Sequence, residues 1–337
     1  MEELIKVTGL TKSYENSPAV SDLSFSVKKG EIVGLLGPNG AGKSTTINIL
    51  ATVLKPDSGN ISICGYNLQN EKNKIKQSIG IVPQDLAIYE EISAEKNVSF
   101  FASLYGLRGQ KLKERTAFAL DLVGLTDKRK NKPKTFSGGM KRRLNIACAI
   151  AHDPQIIIMD EPTVGIDPQS RNHILESILK LKEHGVSILY STHYMEEVEH
   201  IADRILVIDK GKQIAGGTLK ELLQSYENRV IYFLELDGLH KNGLNEFDFL
   251  NNINGIQKVQ IYKEMLKVTA QKNISLSELF SALSTHGYTI KNMSSETNKK
   301  SVGSILYDDV MGGLRPMIPF VAGGGILMAI SFMFGMK

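Results

Sequence analysis

The chain has 337 residues, of which 42% are hydrophobic and 23% are charged, a composition typical of a folded globular protein with room for two domains. A formal net charge of +4 is too small for this length to indicate nucleic-acid binding, and two cysteines are too few for a disulfide framework. We therefore expect no nucleic-acid partner.

Residues 1 to about 225 alternate β-rich runs with amphipathic stretches. The runs at 31–37, 155–162 and 186–193 are almost continuously apolar and predict buried strands, while the stretch at 43–54 predicts a helix. Continuous apolar strands interleaved with helices are typical of a mostly parallel sheet that is covered on both faces. The fold class predicted for this part of the chain is therefore α/β.

A glycine-rich loop stands between the first of these strands and the helix. It fits the G-x-x-x-x-G-K-[ST] pattern of P-loops and consists of Gly37, Pro38, Asn39, Gly40, Ala41, Gly42, Lys43, Ser44 and Thr45. In such a loop, backbone N–H groups and the start of the helix hold phosphate groups. Lys43 is predicted to reach the β- and γ-phosphates, and the Ser44 hydroxyl is predicted to ligate Mg²⁺. The loop predicts a P-loop NTPase fold.

Residues from about 86 to 150 are helical in pattern and predict a subdomain beside the sheet. Within it, Ser137, Gly138 and Gly139 stand directly before the helical run MKRRLNIACAIA. A serine followed by two glycines can hold a phosphate at the start of a helix, or it can be an ordinary N-cap. On these residues alone the ordinary N-cap is the favoured interpretation; a second phosphate site would be redundant within one chain, because the P-loop already supplies one, but not across two.

Two carboxylates, Asp160 and Glu161, follow the apolar run IIIM. A buried parallel strand delivers such residues to the carboxyl edge of the sheet, where ligands of open α/β folds bind. Asp160 is predicted to belong to the coordination sphere of the metal, and Glu161 is predicted to orient and polarise the attacking water as the catalytic base. Together with the P-loop they indicate hydrolysis of a nucleoside triphosphate.

The remainder of the chain has a different organisation. Residues 226–292 read strand, helix, strand, strand, helix, strand, which predicts a small α+β accessory domain, and the polar residues after them predict a linker over 293–316. Residues 317–336 are apolar, carry no charge and have the length of a membrane span. Three interpretations of this segment stay open: a membrane anchor, the product of a gene fusion or assembly artefact, and a buried helix.

The motifs of residues 1 to about 225 resemble, in order and spacing, those of the ATP-binding cassette (ABC) ATPases. FSGGM at 136–140 is similar to the family signature, although Phe136 and Met140 stand where leucine and glutamine are commoner. The resemblance implies that the nucleotide is ATP and that Tyr14, in TKSY, stacks on its adenine. It also implies that Asp167, in VGIDPQ, belongs to the loop that joins two active sites.

Further residues of the site follow from the same resemblance. Gln84, in IVPQD, corresponds to the glutamine that contacts Mg²⁺ and the attacking water, and His193, in STHYMEE, to the histidine that contacts the γ-phosphate. The residues implied to act in catalysis are Lys43, Glu161 and His193. The residues implied to hold the metal are Ser44, Gln84 and Asp160.

In this family two cassettes enclose two ATP molecules, and each P-loop faces the signature of the other copy. The resemblance implies the same arrangement here, with a partner that is either a second copy of this chain or a paralogous cassette. Closing and opening of the pair would move partner helices docked near the Gln84 subdomain.

A single cassette followed by a small α+β unit looks most like the ATPase subunits of exporters whose membrane permease is a separate chain. This implies an Mg²⁺-dependent ATPase that forms ADP and phosphate at the cytoplasmic face of the cell membrane, bound peripherally or anchored by residues 317–336. The alternative is a soluble ABC ATPase outside transport, but such proteins have tandem cassettes or a long insertion. The 53 positions from Gln84 to Ser137 leave no room for that insertion.

The last 30 or so residues resemble a second family. Their paired glycines and the run PFVAGG are similar to the opening of the fructose-type permease domain of the sugar phosphotransferase system. Because a single span cannot form a transport pathway, the resemblance implies at most a fusion with a truncated sugar permease.

Overall fold

The computed structural model describes residues 2–15, 17–227, 229–237, 244–262 and 265–297. Contacts divide the chain into two compact units, with the boundary between Leu219 and Lys220. No helix within the described ranges is both long and apolar enough to cross a membrane. The predicted apolar segment at 317–336 lies outside those ranges, as does the predicted linker beyond residue 297.

The first unit contains ten strands and seven α-helices within the described residues, besides two short 3₁₀ helices (Thr126–Lys128 and Pro133–Thr135). In chain order they are β1 (Glu3–Tyr14), β2 (Ser17–Lys28), β3 (Ile32–Leu36), α1 (Lys43–Leu50), β4 (Ser58–Ile63), β5 (Tyr66–Asn67), α2 (Lys72–Ser78), β6 (Ile79–Val82), α3 (Ala94–Leu104), α4 (Gly109–Leu122), α5 (Gly138–Ile150), β7 (Ile156–Asp160), α6 (Pro168–Glu183), β8 (Ser187–Thr192), α7 (Met195–Ile201), β9 (Arg204–Asp209) and β10 (Lys212–Gly217).

The central sheet of this unit has six strands in the order β10-β9-β3-β8-β7-β6. Every neighbouring pair is parallel except β9 with β10. Strands β3, β7 and β8 are buried along their whole length, as expected for apolar strands in a sheet that is covered on both faces. The α/β prediction is confirmed. Because the sheet is parallel there, the carboxyl ends of β3, β8, β7 and β6 stand side by side at one edge.

A second, antiparallel sheet has the order β2-β1-β4-β5. Its inner residues share one hydrophobic core with α1 and the central sheet. The pairing of β1 with β2 shifts register repeatedly, so the apolar positions do not follow a simple alternation. For that reason, the sequence alone does not predict this sheet.

Helices α3, α4 and α5 pack against one another and form the helical part predicted over residues 86–150. Its first residues form a loop and not a helix, since α3 begins only at Ala94. The fully buried Asn97 stabilises that loop, because its side chain accepts a hydrogen bond from the N–H of Tyr89 at 2.7 Å and donates one to the Tyr89 carbonyl at 2.8 Å.

The second unit alternates strands and helices in the predicted order. After the connecting helix α8 (Leu219–Glu227) come β11 (Arg229–Asp237), a 3₁₀ segment (Leu244–Asn252), β12 (Ile256–Tyr262), β13 (Met265–Gln271), α9 (Leu276–Thr285) and β14 (Thr289–Thr297). The strand order β12-β13-β11-β14, with all pairs antiparallel, is that of a split βαβ sandwich. Alternate residues of β11 and β13 bury one face of the sheet against α9 and the 3₁₀ segment.

Strand β14 corrects the predicted start of the linker at residue 293. The strand continues to Thr297, which pairs with Val230 of β11. The polar sequence SSET carries no strand signal of its own, but an edge strand needs only backbone hydrogen bonds to one neighbour.

Candidate functional site

Residues from four distant parts of the sequence meet at the carboxyl edge of the central sheet. The P-loop follows β3, His193 follows β8, Asp160 ends β7, and Gln84 follows β6. These four strands are consecutive in the sheet. The topology of the central sheet therefore brings most of the predicted site residues to one edge.

The P-loop requires glycine at defined positions. Gly40 and Gly42 have φ values of +81° and +103°, in the left-handed region that favours glycine, and Gly42 caps α1. A side chain at Gly42 would lie 2.5 Å from the carbonyl oxygen of Ala19, and one at Gly37 would lie 2.3 Å from that of Ile208. The loop is thus enclosed by backbone from two other strands, which holds its N–H groups in place.

Lys43 is the first residue of α1 and is almost completely buried, with 4% of its surface exposed. Its ammonium group donates hydrogen bonds to the carbonyl oxygens of Gly37 at 2.8 Å and Pro38 at 3.1 Å. It also forms an ion pair with Oε1 of Glu161 at 3.0 Å. The predicted phosphate-binding lysine and the predicted base are therefore direct partners.

Ser191, which the sequence does not single out, forms hydrogen bonds with both acidic residues. Its hydroxyl donates to Oδ1 of Asp160 at 2.7 Å and accepts a hydrogen bond from the N–H of Glu161 at 3.1 Å. Glu161 has a φ of +44°, a conformation that costs a non-glycine residue about 1–3 kcal/mol and that often occurs at functional sites. The neighbouring strand β8 thus fixes the backbone turn that brings the Glu161 carboxylate to Lys43.

His193 lies on the other side of the same carboxylate. Its Nδ1 is 3.3 Å from Oε2 of Glu161, and its ring packs on Tyr194 with a centroid distance of 4.1 Å. The Glu161 carboxylate is therefore held between Lys43 and His193, with only 6% of the residue exposed.

The predicted metal ligands offer oxygen atoms of the kind that Mg²⁺ prefers. Ser44 is exposed in the first turn of α1, Asp160 is buried with Oδ1 bonded to Ser191, and Gln84 is exposed beyond β6. Within the described ranges, no group of three or more histidine, cysteine or acidic side chains is arranged to hold a metal ion alone. The residues fit Mg²⁺ bound mainly through phosphate oxygens and water, since this ion seldom uses an all-protein cage.

Ser137, Gly138 and Gly139 lie at the start of α5. Ser137 is the N-cap, accepting a hydrogen bond from the N–H of Met140 at 3.3 Å, and both Ser137 and Gly138 are exposed. A Cβ added at Gly138 would meet Ile166, and one added at Gly139 would meet Ser170, both in the chain around Asp167. The exposed helix start is thus free to receive a group from outside the chain.

The starts of α5 and α6 are in contact. Asp167 caps α6 by accepting a hydrogen bond from the N–H of Ser170 at 2.9 Å, and this bond lowers the pKa of its carboxyl. Gly139 is buried against the side chain of the same Ser170. The predicted signature and the predicted loop residue Asp167 therefore form one surface.

Helix α5 also holds the chain around Gln84. The guanidinium of Arg142 donates to the carbonyl oxygens of Pro83, at 2.8 Å, and of Gln84, and the side chain of Asn145 accepts from the N–H of Ala87 at 3.3 Å. Burial lowers the pKa of Arg142. These contacts, which link residues 58 or more positions apart in the chain, carry no sequence signal.

Tyr14, the residue predicted to stack on adenine, ends β1 and is 49% exposed.

Replacing Gly139 with alanine should lower the thermal midpoint of unfolding. The added Cβ would lie 2.3 Å from both Cβ and Oγ of Ser170, and overpacking of this kind costs about 1–3 kcal/mol. The second substitution Ser170→Gly removes both atoms and should restore the midpoint. Gly138→Ala is the matched control, because its Cβ would be 3.7 Å from Ile166. Equal midpoints for Gly139→Ala and Gly138→Ala would contradict the contact.

Comparison with known proteins gives consistent matches. Residues 20–164 match the family model described as ABC transporter. The chain is 47% identical over 253 residues to the linearmycin resistance ATP-binding protein LnrL of Bacillus subtilis, covering 75% of this chain and 81% of the relative. It is 40% identical over 227 residues to the daunorubicin/doxorubicin resistance ATP-binding protein DrrA of Streptomyces peucetius, covering 67% and 69%.

Two solved structures extend the match to the fold. The structure of cbiO1 from Clostridium perfringens, part of an ABC transporter complex, has a TM-score of 0.62 at 29% identity and covers 66% of this chain and 92% of its own. A dimeric ATP-binding cassette in a post-hydrolysis state, bound to ADP and phosphate, has a TM-score of 0.58 at 28% identity and covers 64% and 98%.

Proposed function

Because the chain belongs to the ABC transporter family, as the ATP-binding and ATP-hydrolysing subunit of an exporter, we propose that it cleaves ATP with Glu161 as the catalytic base. The observation that carries this proposal is the position of the Glu161 carboxylate. It lies between Lys43, at 3.0 Å, and His193, at 3.3 Å, at the edge where the P-loop begins a helix. A base, a cation and a phosphate-binding loop are thus in direct contact.

The P-loop binds the phosphate groups of ATP. Backbone N–H groups between Gly40 and Thr45 and the start of α1 attract the negative charge. Lys43 exchanges its ion pair with Glu161 for the β- and γ-phosphates, which frees the carboxylate. The Tyr14 ring, exposed at the end of β1, stacks on adenine.

Hydrolysis then depends on the freed carboxylate. Glu161 accepts a hydrogen bond from the attacking water and takes up its proton, while His193 donates a hydrogen bond toward the γ-phosphate. Ser44, Gln84 and Asp160 would hold Mg²⁺, which would supply positive charge to the phosphate oxygens.

The site that binds the γ-phosphate on one copy is completed by the signature of another copy. Ser137 and Gly138 are exposed at the start of α5, so they are accessible to a nucleotide that is bound by a second copy. One related cassette has been solved as a dimer, which supports this arrangement. Because α5 holds the backbone of Gln84 through Arg142, closing the pair also moves the Gln84 loop.

The cargo that we propose is an antibiotic, exported through a separate permease. The support is that two relatives with 47% and 40% identity are named as resistance proteins for linearmycin and for daunorubicin and doxorubicin. The resemblance of the last residues to a sugar permease has no comparable support, because the matched family model ends at residue 164. A soluble ABC ATPase outside transport is not favoured by these relatives.

Expression of the chain together with a candidate permease from a neighbouring gene should test this function. We expect the two to co-purify in detergent and to raise the antibiotic concentration that the host survives, and Lys43→Ala should abolish the protection. Unchanged survival across a panel of antibiotics would contradict the proposed cargo. Recovery of the chain with ribosomes or DNA in place of a membrane chain would contradict the transport function.

A further inference from the structure

A buried carboxylate outside the proposed catalytic set lies close to His193. Glu197, on α7, is 1% exposed, and its Oε2 accepts hydrogen bonds from the hydroxyls of Tyr190 at 2.8 Å and Thr192 at 2.7 Å. Burial, and then the neighbouring Glu197 carboxylate, raise the pKa of Tyr190 well above its ordinary value, so its phenol stays protonated and donates. Removing a carboxylate from water is costly, and these two bonds offset part of that cost.

Thr192 connects this carboxylate to the catalytic loop. While its hydroxyl donates to Glu197, the same oxygen accepts a hydrogen bond from the N–H of Tyr194 at 3.0 Å. The residue between Thr192 and Tyr194 is His193, and its ring packs on Tyr194. The Thr192 hydroxyl therefore links the Glu197 carboxylate to the backbone on both sides of His193.

The second oxygen of Glu197 faces helix α6. Nε of Arg171 lies 3.5 Å from Oε1 of Glu197, and the Arg171 guanidinium stands over the Tyr194 ring at 4.8 Å. Neither Nε of Arg171 nor Oε1 of Glu197 has a hydrogen-bond partner in the described part of the chain, so the ion pair is their polar contact. In the first turn of α6, the N–H of Arg171 donates to the carbonyl of Asp167 at 2.9 Å.

A cavity of about 520 Å³ lies between α6 and α7. Arg171 and Glu197 are themselves among its lining residues, with Asn172 and Leu175 on α6 and His200 on α7. The Arg171–Glu197 ion pair therefore links the two helices beside a space that packed side chains do not fill.

We propose that Glu197 is a positioning residue that couples the start of α6 to His193. A second copy that contacts the surface around Asp167 displaces the first turn of α6 and with it Arg171. The ion pair transmits this displacement to Glu197, and Thr192 transmits it to the loop that carries His193. The inference rests on the proposed role of His193 and adds the path by which dimer closure reaches that residue.

Substitutions at Thr192 and at Glu197 test the two contacts of this path separately. Thr192→Val keeps the volume but removes the hydroxyl, and we expect the kcat for ATP to fall about tenfold with little change in KM. Thr192→Ser, which keeps the hydroxyl, should have the kcat of the native protein. Glu197→Gln keeps an acceptor for Tyr190 and Thr192 but removes the charge that faces Arg171, and it should also lower kcat. Glu196→Gln, at the exposed neighbouring position, is the matched control and should leave kcat unchanged.

A double-mutant cycle with His193→Ala distinguishes positioning from general stability. If Glu197 acts through His193, Thr192→Val and Glu197→Gln should lower kcat by less than about twofold in the His193→Ala background. Equal losses in both backgrounds would overturn the proposal, as would full activity of both variants in the native background. If His193→Ala alone retains full activity, the proposed role of His193 fails, and the proposal fails with it.

Discussion

Replacing Glu161 with glutamine should lower the kcat for ATP by about two to three orders of magnitude, because a neutral amide cannot take up the proton of the attacking water. ATP binding should persist, since the P-loop and Lys43 remain. The carboxylate that now pairs with Lys43 at 3.0 Å is removed, so Lys43 is more available to phosphate. We expect an ATP-bound dimer that can be isolated by size-exclusion chromatography.

Glu176→Gln on α6 is the control for this prediction. Glu176 is another glutamate of the same unit, but it is exposed and contacts His173 and not the site. Its substitution should leave kcat within about twofold of the native value. Turnover by Glu161→Gln at the native rate would show that Glu161 is not the base.

Replacing Lys43 with alanine should weaken ATP binding by about a hundredfold or more, because a buried cation that contacts the phosphates is lost. It also leaves the buried Glu161 carboxylate without its lysine partner. Breaking such a pair by removing one member costs about 3–5 kcal/mol, so the variant should unfold at a lower temperature. Nucleotide titration and thermal unfolding measure the two effects separately.

The double variant Lys43→Ala, Glu161→Gln isolates the contribution of the ion pair. It removes both charges, so we expect its thermal midpoint to recover relative to Lys43→Ala while ATP binding stays weak. A midpoint for the double variant below that of either single variant would contradict a buried ion pair between the two residues.

Local patterns predict the parts of the site that consist of contiguous residues. The P-loop combines a strand, a glycine-rich turn and a helix within a short stretch, and the apolar run before Asp160 predicts its place at the sheet edge. The sheet order then places Gln84 and His193 at the same edge. Each of these features depends on interactions within a few residues or on a general rule of parallel sheets.

Contacts between distant residues carry no such signal. Ser191 is one of several serines in the sequence, and only the pairing of β7 with β8 places it between Asp160 and Glu161. Likewise, Glu197 is one of three glutamates in MEEVE, and its burial distinguishes it from the exposed Glu196. These positions depend on how elements pack, which a single sequence does not display.

The central claim is that each ATP is held between the P-loop of one copy and the signature of another. Mixing two inactive variants, Lys43→Ala and Ser137→Arg, tests it directly. In a pair that contains one of each, the P-loop of the Ser137→Arg copy faces the intact signature of the Lys43→Ala copy, so one of the two sites is complete.

Random pairing in an equal mixture should therefore restore about a quarter of the native ATPase activity, although each variant alone is inactive. The activity should fall on dilution, since it requires two copies. A mixture as inactive as its components, or a Ser137→Arg variant that hydrolyses ATP at the native rate by itself, would contradict the account.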